Sequence, residues 1–109
     1  MEDREFKHLF SPINLGPATL PNRIVMTGAI TRLFGSGERH VQYFAARARG
    51  GAGLIISSPP LPYILSDAMF SEFKGAAEAV HQYPTKIFAQ LVHLGAREWV
   101  RLPFSASRG

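Results

Sequence analysis

Three short apolar runs recur along this chain at a nearly constant interval, and that interval limits the possible folds more than any other feature. They are "RIVMT" at residues 23–27, "AGLIIS" at 52–57 and "KIFAQLV" at 86–92. Ile24, Leu54 and Ile87 lie thirty and then thirty-three residues apart, the length of one strand–helix unit. Between the runs the apolar period changes. Val41, Phe44, Ala45 and Ala48 fall at i, i+3, i+4 and i+7, one face of a helix over residues 40–49. Ser36 and Glu38 stand at its entrance. Arg47 and Arg49 suit the negative end of its dipole, and Gly50-Gly51 stops it. A second helical stripe runs through Phe73, Ala76, Ala77 and Val80 and ends at Tyr83-Pro84. Strand, helix, strand, helix, strand at this spacing predicts an α/β fold with a parallel sheet and right-handed crossovers. Ahead of it, "FSPINLGPATLPN" at residues 10–22 carries Gly16-Pro17 between two short stretches and predicts a small hairpin.

Two architectures share this rhythm. An open doubly wound sheet places a G-x-G-x-x-G phosphate loop after its first strand. Here that position reads Thr27-Gly28-Ala29-Ile30-Thr31. Gly50, Gly51 and Gly53 do cluster, but they precede a strand and read as a helix stop and a close packing contact. The other architecture, a (β/α)₈ barrel, needs about 250 residues. The chain has 109, room for a hairpin and fewer than three of the eight units.

Composition excludes several classes. With 46% hydrophobic and 18% charged residues the chain can bury a core. The absence of cysteine excludes a disulfide scaffold, a thiolate metal site and a cysteine nucleophile. No apolar run approaches the ~20 residues that span a bilayer. Glu2, Asp3, Arg4 and Glu5 follow Met1 with no apolar core behind them, which predicts a cytoplasmic chain without a membrane partner. The net charge of +4 would suit a nucleic acid, yet its arginines are scattered singly or in pairs, with no basic helix or aromatic array. No nucleic-acid partner is expected.

Three blocks in order, "FSPINLGPATLPNRIVM", "YFAARARGGAGLIIS" and "AAEAVHQYPTKIFAQLVHLGARE", closely resemble the start of the old yellow enzyme family of FMN-dependent oxidoreductases. The likeness is strongest to the branch of 2,4-dienoyl-CoA reductase and related NADH:flavin oxidoreductases, and it covers residues 9–98. The resemblance implies that residues 1–109 are the N-terminal portion of a single FMN-binding TIM (β/α)₈ barrel, its hairpin closing the end opposite the flavin. In such enzymes NAD(P)H reduces FMN, and flavin N5 passes hydride to an electron-poor small-molecule substrate. Parallel sheets bind ligands at the C-terminal ends of their strands, which agrees.

Carried over by position, Thr27, Gly28 and Ala29 would offer backbone groups to the flavin, with Ile30 or Thr31 near its N5–O4 side. Gly28 and Ala29 replace larger residues of the family, and Ile30 has no side-chain donor. Thr27 and Thr31 also read as ordinary loop residues. Gln90 would meet the pyrimidine edge, because a carboxamide in an apolar strand must find partners or lose ~1–3 kcal/mol. A neighbouring backbone could also satisfy it. Pro59 would bring a carbonyl without an N–H. His93 reads as a loop organiser, and Trp99 and Phe104 as cover. The resemblance places the family's substrate-binding and proton-donating residues beyond Gly109, so no catalytic or metal-binding residue is assigned here. The chain is expected to be an N-terminal segment that is not catalytic alone. The alternative is a truncated non-catalytic chain or a small α/β interaction module. Open sheet edges predict self-association.

Overall fold

Gly16 and Pro17 turn the chain back on itself. They join β1 (Ile13–Leu15) to β2 (Ala18–Leu20) in an antiparallel hairpin with Leu15 opposite Ala18. Gly16 has φ +55°, the positive angle that such a two-residue turn requires at its first position. The computed structural model describes residues 6–29, 31–58 and 66–92. Beyond the hairpin come β3 (Val25–Met26), α1 (Glu38–Arg49), β4 (Leu54–Ser57), α2 (Asp67–Val80) and β5 (Lys86–Ala89). The last three strands form a parallel sheet in the order β3-β4-β5, as the spacing predicts.

The sheet packs one face on the two helices. Phe44 and Ala48 of α1, Ile55 of β4, and Ala76 and Val80 of α2 form the buried cluster, with Met26 and Ile87 packed against it. Met26, Ile55 and Ile87 share one row across the sheet, so the period-two alternation aims all three at the helices. Burying a side chain such as Ile55 contributes about 1.5–3 kcal/mol. The helical faces expected at Phe44, Ala45, Ala48, Ala76 and Val80 are buried.

The outer strands are shorter than the apolar runs suggest, two residues in β3 and four in β5. Each pairs along one edge only among the described residues, whereas β4 pairs on both. Val25 and Phe88, on the face away from the helices, are each 41% exposed, against 3% for Leu54 in the central strand. No helix among the described residues is long and apolar enough to cross a membrane.

The N-terminal end of the sheet is fastened by close polar contacts. Asn22 donates from Nδ2 to the Gly51 carbonyl at 2.7 Å and accepts at Oδ1 from the Ile24 N–H, tying the hairpin exit to the start of the sheet. Gly53 lies against the Asn22 backbone; a Cβ there would stand 2.6 Å from the Asn22 carbonyl oxygen. The glycine cluster is therefore a helix stop and a packing contact. Gly50 caps α1 and Gly51 continues at φ +103°. Buried Thr85 donates to the Ala52 carbonyl at 2.7 Å and so links the starts of β4 and β5.

The entrance to α1 differs from the expectation. Gly37, not Ser36, is its N-cap and supplies no side-chain cap, while the Ser36 hydroxyl donates to the Leu33 carbonyl. The amides of this turn go to Glu72 of α2. Its carboxylate accepts from the Gly35 N–H at 3.1 Å, from the Gly37 N–H, and from His40 Nδ1 at 2.9 Å. A carboxylate only accepts, so Nδ1 carries the proton. His40 is 1% exposed, its ring lies among Phe34, Phe44 and Phe73, and its Nε2 has no partner among the described residues. Neither His40 nor Glu72 reads as core in a periodicity argument. Each lies next to an apolar position on its helix and is buried because it has the other as a partner.

Burial pushes the Glu72 carboxyl up. The His40 hydrogen bond, the Gly35 and Gly37 amides and the positive field of His40 outweigh that and leave it below its ordinary value. A lowered carboxyl stabilises the fold at neutral pH, and that contribution is lost as pH falls through the carboxylate range. We expect Glu72→Gln to lower stability by about 3 kcal/mol in urea unfolding and to flatten the acid slope of the unfolding midpoint. An unchanged slope would remove Glu72 from this role. Gly53→Ala should cost about 2 kcal/mol or more by the same measurement, because the obstructing atom is backbone and cannot rotate away.

Candidate functional site

In a parallel sheet all the C-terminal strand ends emerge on one side, which is where such folds place their ligands. The β4–β5 register sets Ser57 opposite Ala89, and one step further Ser58 faces Gln90. The Gln90 N–H donates to the Ser57 carbonyl at 2.7 Å, so the backbone ladder still holds at that level. Ser57 Oγ adds a bond to the Phe88 carbonyl at 3.2 Å. The side chains above also meet: Ser58 Oγ donates to Gln90 Oε1 at 3.3 Å.

Gly28, two residues past β3, comes up beside this pair. A Cβ on Gly28 would overlap both Ser58 Oγ and Gln90 Oε1, so the contact occupies the space that any side chain at position 28 would take. The Gly28 and Gln90 expected at one site are thus brought together. Thr27 and Ala29 flank Gly28 and are exposed. Thr31 Oγ1 accepts the Leu33 N–H at 3.2 Å in a local turn. Ile30, Pro59, His93, Trp99 and Phe104 lie outside the described residues.

The three meeting residues carry no titratable side chain. Their chemistry is neutral hydrogen bonding, suited to holding and orienting a flat polar edge. The Gln90 side chain is exposed, and its Nε2 has no hydrogen-bond partner among the described residues. An amide donor turned to the strand ends beside a glycine with no side chain is a donor set that fits a flavin ring, whose pyrimidine edge carries both acceptors and an N–H. Among the described residues no group of three or more His, Cys, Asp or Glu side chains is placed to hold a metal.

Sequence reasoning missed Ser58. The thirty-three-residue spacing from Leu54 to Ile87 would set Ser57 opposite Gln90; the observed register pairs Leu54 with Lys86, one step shorter, and so brings Ser58 to Gln90 instead.

The profile of the NADH:flavin oxidoreductase / NADH oxidase family matches residues 8–101. Among curated relatives, the N,N-dimethylglycine/sarcosine dehydrogenase of Chromohalobacter salexigens is 34% identical, covering 84% of this chain and 16% of that protein. The NADH oxidase of Thermoanaerobacter brockii is 37% identical, covering 83% and 16%. The solved structure of the old yellow enzyme from Trypanosoma cruzi superposes with a TM-score of 0.72 at 35% identity, over 84% of this chain and 28% of that one. The chain thus spans about a sixth of the curated relatives' length, and its three-stranded sheet corresponds to the first part of a TIM barrel, an open segment and not a closed one. A profile match over most of its length, and a fold in which the barrel's first strands deliver their ends to one polar cluster, make this chain a member of the NADH:flavin oxidoreductase / NADH oxidase family.

Proposed function

We propose that residues 1–109 form the N-terminal portion of a single FMN-binding barrel domain and supply one wall of its flavin site in an NAD(P)H-dependent oxidoreductase. The observation that carries this reading is the convergence of Gly28, Ser58 and Gln90 at the C-terminal strand ends. Bound FMN would supply the chemistry, taking hydride from NAD(P)H and returning it from N5 to an electron-poor small molecule. The chain's part is to bind and orient. Thr27, Gly28 and Ala29 offer backbone groups to the ring, and Gln90 donates from its carboxamide to an acceptor edge; likeness to the family adds Ile30 and Pro59, which lie outside the described residues. Cytoplasmic action belongs to the same reading, since NAD(P)H is held inside cells.

Exchanging this chain's residues 8–101 for the matching segment of the Trypanosoma cruzi old yellow enzyme should give a hybrid that retains FMN, seen as flavin absorbance co-eluting with protein. Gly28→Ala in that hybrid should weaken FMN binding about tenfold, equivalent to about 1.4 kcal/mol. A folded hybrid that holds no flavin would overturn the reading. The 109 residues alone should bind FMN weakly or not at all.

The exposed Val25, Phe88 and Leu91, and the edges of β3 and β5 that have no strand partner among the described residues, favour self-association of the 109 residues when they are expressed alone. Sedimentation velocity should show concentration-dependent species larger than a monomer. A monodisperse monomer with a sharp urea transition would contradict this.

A further inference from the structure

We infer that Ser58 is a positioning residue, one that sets which edge of the Gln90 carboxamide the site presents and so selects a hydrogen-bond acceptor on the ligand. The inference rests on the flavin reading above. Ser58 is 8% exposed, and a hydroxyl that deep must spend its single proton on an acceptor. That acceptor is Gln90 Oε1, at 3.3 Å. If the carboxamide turned over, Nε2 would face the hydroxyl oxygen and the Ser58 proton would be left without its acceptor. The orientation with Oε1 turned back toward β4 is therefore the favoured one. A carboxamide is planar, so fixing Oε1 against Ser58 sends Nε2 to the opposite corner, where it has no partner among the described residues.

The backbone makes this arrangement specific. The 2.7 Å bond from the Gln90 N–H to the Ser57 carbonyl holds the Gln90 backbone in register, leaving side-chain rotation as the freedom that Ser58 removes. Gly28 keeps the adjoining space clear, since a Cβ there would displace both partners. At the strand ends the site then offers a donor pre-aimed at a carbonyl-type acceptor such as those on the pyrimidine edge of a flavin.

The test is a double-mutant cycle on the FMN affinity of the old yellow enzyme hybrid described above, read by quenching of flavin fluorescence, with the flavin midpoint potential as a second readout. Ser58→Ala should weaken FMN binding about fivefold, and Ser58→Thr, which keeps the hydroxyl, should stay within about twofold of the parent. In a Gln90→Ala background, Ser58→Ala should change neither affinity nor potential, because Ser58 acts through Gln90. Equal losses in both backgrounds, or no loss in either, would overturn the inference. Should the folded hybrid take up no FMN, the flavin reading falls, and nitrogen-15 relaxation of the Gln90 side-chain amide decides the Ser58 contact by itself. An amide ordered in the parent and mobile in Ser58→Ala supports it; equal order in both overturns it.

Discussion

Leu54 opposite Lys86 and Ser57 opposite Ala89 is the pairing on which the whole arrangement at the strand ends depends. A parallel register is one number, and a slip of one residue would exchange the two faces of β5. Ile87 would leave the helices and Phe88 would turn toward them. The same slip would take Gln90 away from Ser58. Core and candidate site are thus set by one choice of pairing, and the apolar packing of Ile55 and Ile87 on Val80 and Phe44 holds polar groups in place that contribute little to stability themselves.

The loop between β3 and α1 is governed by a different interaction. Glu72 reaches from α2 to the amides of Gly35 and Gly37 and to His40, so the second strand–helix unit shapes the loop of the first. A buried carboxylate is tolerable because each oxygen has its donors. The result is a turn ahead of α1 braced by a glutamate from the neighbouring helix. Neighbouring units of such a fold therefore share loop structure as well as core.

Most of the architecture was legible from spacing, because parallel strands and their helices each impose a period on apolar residues. Likeness to a known family set Gly28 and Gln90 together as candidates, and the structure brings these two residues into contact at the strand ends. Ser58 was not among the candidates, since a serine before Pro-Pro looks like loop until the register sets it beside Gln90. The His40–Glu72 pair escaped for a related reason: a polar residue next to an apolar stripe is ordinarily solvated, and what buries it is a partner thirty-two residues away. Strand lengths were overestimated at β3 and β5, where an apolar run continues past its last paired residue.

The two ends of the sheet are built from different material, and this bears on how sequences of this kind can diverge. At the N-terminal end, Gly53 abuts the backbone of Asn22, and Asn22 and Thr85 bond to main-chain carbonyls. Those contacts leave almost no room for substitution without moving the chain. At the opposite end the described atoms nearest to a Gly28 Cβ belong to two side chains, Ser58 and Gln90, which can swing, shorten or be replaced together. Positions 28, 58 and 90 can therefore change together without moving the main chain, while the asparagine–glycine seam at the other end of the sheet holds the backbone in place.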